Sequence, residues 1–297
     1  MELLWNYTVQ VVALGAGLLG GICGVLGCFA VLRKESLLGD GVSHGALSGV
    51  VGAFLLLGYQ QTEVLLLGAM ISAVAVAWLI HLVVRHSAIA FDSALALMLS
   101  AFFGLGLVLL TYAQSLPNAN QAGLNRFLLG QAATLLQRDV ALIAISGGVL
   151  LVAVVAYWKV WKLLCFDVTF GQSVGYPMER MSLWLSLMLV VAMVIGLQAV
   201  GVVLMSALLV APAVAARQWC HHLWSMVVLS GVFGSVSGVL GTAISTYVPS
   251  LPTGATIVLC VSVIALFSVL FAPQRGVVRG LIQYHELRRA YGKQVKS

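Results

Sequence analysis

Asp40 and His44 are the residues whose types and spacing could do chemistry. They stand four apart inside the apolar stretch Ser36–Gly49, and on a helix such positions share one face, a turn apart. A carboxylate near the middle of a membrane helix costs about 2.5–3.5 kcal/mol on insertion scales, so it comes with a partner or a water-filled cavity. Carboxylate oxygen and imidazole nitrogen are both good ligands for zinc, manganese or iron(II). Gly41, Gly45 and Gly49 recur every fourth residue beside them, a ridge of small side chains that lets another helix approach closely. Two blander roles stand next to the metal site. His44 can serve as an interhelical hydrogen-bonder, and Asp40 can cap a helix that starts at Gly41. Two ligands do not make a closed site, so the others must come from elsewhere in the fold or from a second copy.

The elements that must position this pair are membrane helices. Hydrophobic residues make up 61% of the chain and charged residues 8%, with a mean hydropathy of +1.07. Soluble domains carry about 25% charged residues. Several stretches pass the roughly 18-residue apolar length of a spanning helix, which makes this an all-α, polytopic transmembrane bundle. The net charge of +6 is spread over short loops and the C-terminus, as the positive-inside rule expects, and not in a nucleic-acid patch. The five cysteines are scattered without a CxxC pair, so neither a disulfide framework nor a thiolate metal site is expected. Met1–Gln10 has no basic n-region, and Val11–Val31 reads as a retained helix.

Hydropathy and charge divide the chain into about nine helices: Thr8–Leu32, Leu37–Leu57, Val64–Val84, Phe91–Ala113, Val140–Val160, two between Met181 and Arg217, Leu223–Tyr247 and Ala255–Phe271. The pair between Met181 and Arg217 is interrupted near Gly196–Gly201 and must be short or tilted, with Pro212 kinking its second half. This layout places the N-terminus outside and the C-terminus inside. It puts every Lys and Arg except Arg126 and Arg138 on the cytoplasmic side. Merging the two helices would give eight and break the charge rule at one end. Asp92 is read as a first-turn carboxylate facing its helix dipole. Residues 1–274 form one transmembrane domain, and 275–297 a basic cytoplasmic tail suited to lie along anionic headgroups.

Two segments are not spans. Gln114–Asp139 is external, and its apolar part Phe127–Thr134 is too short to cross, which suggests an interfacial or re-entrant helix. The cytoplasmic loop at about 163–180 contains Phe166, Asp167, Phe170, Gly171, Gly175 and Pro177. Thr169 or Asp167 could cap a short helix that stops at Gly175, either loop decoration or a docking element for a soluble partner. Gly234 and Gly238 belong to a second stripe of small residues in the eighth helix.

The chain has no P-loop: its one Gly-Lys pair, Gly292-Lys293, follows no glycine-rich loop. It is therefore expected to be no enzyme and to leave ATP hydrolysis to another subunit. Transport fits a buried ligand pair, glycine seams and a docking loop.

Four stretches resemble the zinc/manganese/iron class of bacterial ATP-binding-cassette permeases. They are Ser36-Leu37-Leu38-Gly39-Asp40-Gly41-Val42-Ser43-His44-Gly45-Ala46-Leu47, Phe166-Asp167 through Gly175, Val200 through Ala213, and Leu251-Pro252-Thr253-Gly254-Ala255-Thr256. The similarity covers nearly the whole chain. Phe127–Thr134 is more similar to the manganese/iron branch. Gly41 and Ser48 stand where that pattern commonly has Ala and Pro.

The resemblance implies a type II importer-like bundle in the bacterial cytoplasmic (inner) membrane, working as a homodimer or with a paralogous permease. It implies cytoplasmic ATP-binding subunits and an extracytoplasmic metal-binding protein as partners. Asp40 and His44 would line the pathway for Mn2+, Zn2+ or Fe2+, with no permanently bound cofactor, and the loop around Phe166–Pro177 would couple to the ATPase. Two other readings remain open. One is a proton-coupled secondary metal transporter, although no inverted repeat is evident. The other is a structural membrane scaffold in which Asp40 and His44 act as interhelical glue.

Overall fold

Residues 7–58, 61–115, 135–248, 251–273 and 276–279 are described by a computed structural model. Among them the ordered elements are all helices: α1 (Tyr7–Leu32), α2 (Leu38–Leu57), α3 (Thr62–His86), α4 (Phe91–Ser115), α5 (Gln137–Ala156), α6 (Trp158–Phe166), α7 (Val168–Ser173), α8 (Met178–Val200), α9 (Val202–Trp219), α10 (Leu223–Tyr247) and α11 (Thr253–Phe271). Eight of the described helices are long and apolar enough to cross a membrane: α1 to α5, α8, α10 and α11. The ninth expected crossing is α9, 18 residues long. At 1.5 Å per residue it covers about 27 Å, close to the hydrocarbon thickness. The expected segment Phe127–Thr134 and the tail from residue 280 lie outside the described residues.

Without a hydrophobic driving force inside lipid, helices associate where small residues let backbones touch. Two glycine seams do this here. On α1 and α10, a Cβ at Gly20 would fall on the Gly234 backbone, and one at Gly238 on the Ala16 backbone. Ser230 Oγ donates to Gly24 O at 2.7 Å across the same seam. On α2 and α3, a Cβ at Gly49 would fall on the Gly68 carbonyl and one at Gly45 would stand 2.7 Å from Val76 Cγ2. Just beyond, Ser48 and Ser72 hydroxyls lie 2.8 Å apart and both donate to Gly45 O. The other side of α2 meets α8 and α9, where Gly39 leaves room for Met193 and Leu209.

Two readings of the sequence differ in the structure, and a third is narrowed within its expected range. The fifth span ends at Ala156, not Val160, and a separate short helix, α6, begins at Trp158. Tyr157, Trp158 and Trp161 account for the break: Trp158 packs edge-on against Trp224 at 5.3 Å and Phe29 at 6.2 Å, in the manner of an interfacial aromatic belt. The interruption between α8 and α9 falls within the expected Gly196–Gly201, at Gly201, whose φ of 90° favours glycine, while the helix passes through Gly196. Asp40 does not cap α2 either. The helix begins at Leu38, and Asp40 sits inside its first turn with its own N–H bonded to Leu37 O.

Candidate functional site

The first turn of α2 sets the depth of the Asp40–His44 pair. Asp40 is two residues into the helix, so the pair lies toward the basic end of the bundle and not at mid-helix. There the carboxylate faces the positive end of the helix dipole, which favours an anion. His44 Nε2 lies 3.3 Å from Asp40 Oδ1, with the His44 side chain 19% and the Asp40 side chain 41% exposed. The imidazole rests edge-on against Phe103 of α4 at 4.8 Å. His44 Nδ1 and the neighbouring Ser43 hydroxyl are buried and meet no hydrogen-bond partner among the described residues. Gly41 receives Leu95 of α4 against its bare Cα, and Gly45 receives Val76 of α3. The turn holding His44 is thus clamped from two sides while the Asp40 carboxylate stays open on a third. Among the described residues no group of three or more His, Cys, Asp or Glu is close enough to hold a metal ion. Asp40 and His44 offer one carboxylate and one imidazole on a single face, two donors and no closed site.

The loop at the basic end is also built. Asp167 caps α7: its Oδ1 accepts from Phe170 N at 2.9 Å and from the Thr169 hydroxyl at 2.8 Å. These two bonds hold its carboxyl below the usual range. Gly171 is buried with Met178 against it, and Gly175 turns the chain at a φ of 94°. Pro177 then precedes α8. Phe166, Val168, Phe170, Val174 and Tyr176 are all exposed on this segment, outside every span.

A third constellation escaped the sequence reading, which treated Arg33 only as a loop charge and passed over Glu35, His81 and Ser182. Arg33 Nη2 bonds Glu35 Oε1 and donates to Ser182 Oγ at 2.6 Å. The Ser182 hydroxyl lies 3.4 Å from His81 Nε2, and His81 Nδ1 donates to Ala77 O at 2.9 Å. Glu35 is 8% exposed. Burial pushes its carboxyl above the usual range, and the Arg33 charge pulls it back. The only advance signal was a carboxylate two residues from an arginine where the chain leaves one span for the next.

The ABC 3 transport family matches residues 6–272. The chain belongs to that family. Its relatives include the zinc transport system membrane protein TroC of Treponema pallidum, 49% identical over 278 residues, covering 94% of this chain and 93% of TroC. The manganese transport system membrane protein MntC of Bacillus subtilis is 42% identical over 292 residues, covering 97% of this chain and 67% of MntC. Among solved structures, PsaBC from Streptococcus pneumoniae in complex with Fab matches with a TM-score of 0.79 at 29% identity, covering 92% of this chain and 95% of that one. This chain is accordingly a multi-pass membrane permease subunit of an ABC transporter.

Proposed function

We propose that this permease carries divalent transition-metal ions into the cell, manganese ahead of zinc and iron(II), with ATP hydrolysed by a separate subunit. The observation that carries the reading is the Asp40–His44 pair, a carboxylate and an imidazole 3.3 Å apart on a half-open face of α2, in a chain of the ABC 3 transport family. Curated relatives bear zinc or manganese in their names, with manganese the more frequent. Carboxylate with imidazole suits these ions, and selectivity among them rests on geometry and availability.

A hydrated divalent ion must exchange water for protein ligands to cross, and those ligands must also let it go. Two protein ligands meet that need better than a closed tetrahedral site, and a second copy facing this one across the open side of Asp40 would add its own pair. Asp40 supplies a carboxylate oxygen and His44 an imidazole nitrogen, with Phe103 and the glycine contacts fixing the ring. The exposed aromatic segment from Phe166 to Tyr176 would seat on a cytoplasmic ATP-binding subunit, with Asp167, Phe170, Gly171, Gly175 and Pro177 shaping it. An extracytoplasmic metal-binding protein would deliver the ion at the opposite end. The ion is cargo, and no permanently bound cofactor is required.

The test is metal accumulation by cells depleted of other importers, comparing wild type, Asp40→Ala and His44→Ala at matched membrane expression. The reading expects both variants to lose uptake of the same metal. Unchanged uptake in both would move the pathway elsewhere.

A further inference from the structure

The polar cluster at the basic end joins four helices through named atoms. Lys34, at a φ of 61°, is the one described non-glycine residue with positive φ, and it ends α1. Its N–H bonds Val31 O at 3.3 Å, and Glu35 N–H bonds Ala30 O at 2.9 Å, a paired closure of the α1 C-terminus. Glu35 O then accepts the first α2 bond, from Leu38 N at 3.0 Å. Glu35 therefore holds α1 by its N–H, α2 by its carbonyl, and Arg33 by its carboxylate. Arg33 reaches α8 at Ser182, and Ser182 reaches α3 at His81. With the His81 proton on Nδ1, given to Ala77 O, the bonds run in one direction: Arg33 Nη2–H to Ser182 Oγ, then Ser182 Oγ–H to His81 Nε2.

The cluster has the docking segment on one side and the ligand pair on the other. Ser182 stands one turn into α8, directly after the segment ending at Pro177, and Arg85 bonds Glu179 at 3.4 Å one turn nearer the basic surface. Asp40 follows Glu35 by five residues, within the first turn of α2. On the segment's own side, Arg33 and Glu35 act electrostatically on the Cys165 thiol of α6, which burial pushes up to about 12. A guanidinium at the centre of the cluster repels cations, so a second metal station is a poor account of it. A rigid link is a good one. The bonds are half-buried and join side chains of four separate elements. Hydrogen bonds shielded from water are costly to break singly, so the elements they join move together.

We propose that Arg33, Glu35, Ser182 and His81 are positioning residues, a joint that carries the displacement of the docking segment into the first turn of α2 and so to Asp40 and His44. This rests on the transport reading above. It assigns the α1–α2 elbow to coupling between ATP hydrolysis and metal movement, not to metal binding.

The test uses the full complex, permease with its ATP-binding subunits and delivery protein, in proteoliposomes, with Mn2+ transported and ATP hydrolysed measured in the same vesicles. Ser182→Ala and Glu35→Gln should lower Mn2+ moved per ATP by about 5- to 150-fold, the span of typical site-to-site couplings, while ATP turnover and Mn2+ binding persist. The Arg33→Gln/Ser182→Ala pair should lose no more than the worse single variant, because one link is broken only once. An unchanged ratio overturns the joint. So does a fall of transport and hydrolysis in step with the amount of folded complex, which marks a structural role. A wild-type complex that moves neither Mn2+ nor Zn2+ with ATP overturns the transport reading itself, and shows before any variant is compared.

Discussion

On α2, His44 Nε2 lies 3.3 Å from Asp40 Oδ1, while Nδ1 on the other side of the ring meets no polar partner among the described residues. Nε2 is therefore the nitrogen that shares a face with the carboxylate, and Phe103 holds the ring in that attitude. An ion arriving at Asp40 would find the nitrogen within one turn and need no rotation of α2. The arrangement separates ligand chemistry from helix packing, and the two can be perturbed apart.

Asp40→Asn and His44→Gln keep shape and remove charge or imidazole. Because Asp40 is 41% exposed, its 3.3 Å contact with His44 adds little to stability, about 0–1 kcal/mol. Metal uptake should fall by about tenfold or more, in the range of lost ligand-shell contacts, while thermal unfolding in detergent hardly shifts. A large stability loss with intact uptake would reassign both residues to interhelical packing.

Helix contact at the glycine seams predicts a contrast between glycines. A Cβ at Gly234 would fall on the Gly20 backbone, which no rotamer can relieve, so Gly234→Ala should cost about 1–3 kcal/mol. Gly148 of α5 has nothing within 4 Å of an added Cβ, and Gly148→Ala should stabilise by about 0.5–1 kcal/mol through helix propensity. Melting of the two variants in the same detergent decides the matter.

Ser72→Ala removes one of two donors to Gly45 O and one partner of Ser48, and the remaining Ser48 bond to Gly45 O survives. The expected loss is about 0.6 kcal/mol, the average for polar contacts between membrane helices. Ser48→Ala/Ser72→Ala should cost less than the sum of the singles if the two hydroxyls act as a unit, and more than the sum if either alone satisfies Gly45 O, which a double-mutant cycle reads directly.

At α7 the Asp167 carboxyl is held down by the Phe170 N–H and the Thr169 hydroxyl. A depressed carboxylate contributes its stabilisation fully above its unfolded value of about 3.9 and loses it only as pH falls through the lower folded value. Amide exchange at Phe170 in the full-length permease should therefore show no loss of this cap between pH 8 and pH 5, after correction for intrinsic rates. Asp167→Ala should speed that exchange at every pH, and Asp167→Asn, still an acceptor, much less.

Much of this was legible beforehand because each signal is local. The four-residue spacing put Asp40 beside His44, apolar length marked the spans, and Asp167 was one of two candidate caps for its short helix. What escaped needed three dimensions. A helix read as Leu37–Leu57 already has Asp40 in its first turn, but says nothing of the elbow before it, whose closure rests on Lys34 adopting a positive φ and on Glu35 bridging two helices. Arg33, His81 and Ser182 are distant in sequence, and nothing in the order of residues says that α3 and α8 will bring them together. The α5–α6 break hid inside a continuous apolar run because Tyr157 and Trp158 count as hydrophobic although they favour the interface.

The most direct measurement of the central claim is pulsed electron paramagnetic resonance of Mn2+ bound to the permease with its ATP-binding subunits, the delivery protein being left out. Coordination by His44 predicts a nitrogen coupling from imidazole in the wild type that disappears in His44→Ala, and Asp40→Asn should keep the coupling while weakening binding. The same nitrogen signal persisting in His44→Ala, or none in the wild type, would contradict a transit site built on Asp40 and His44.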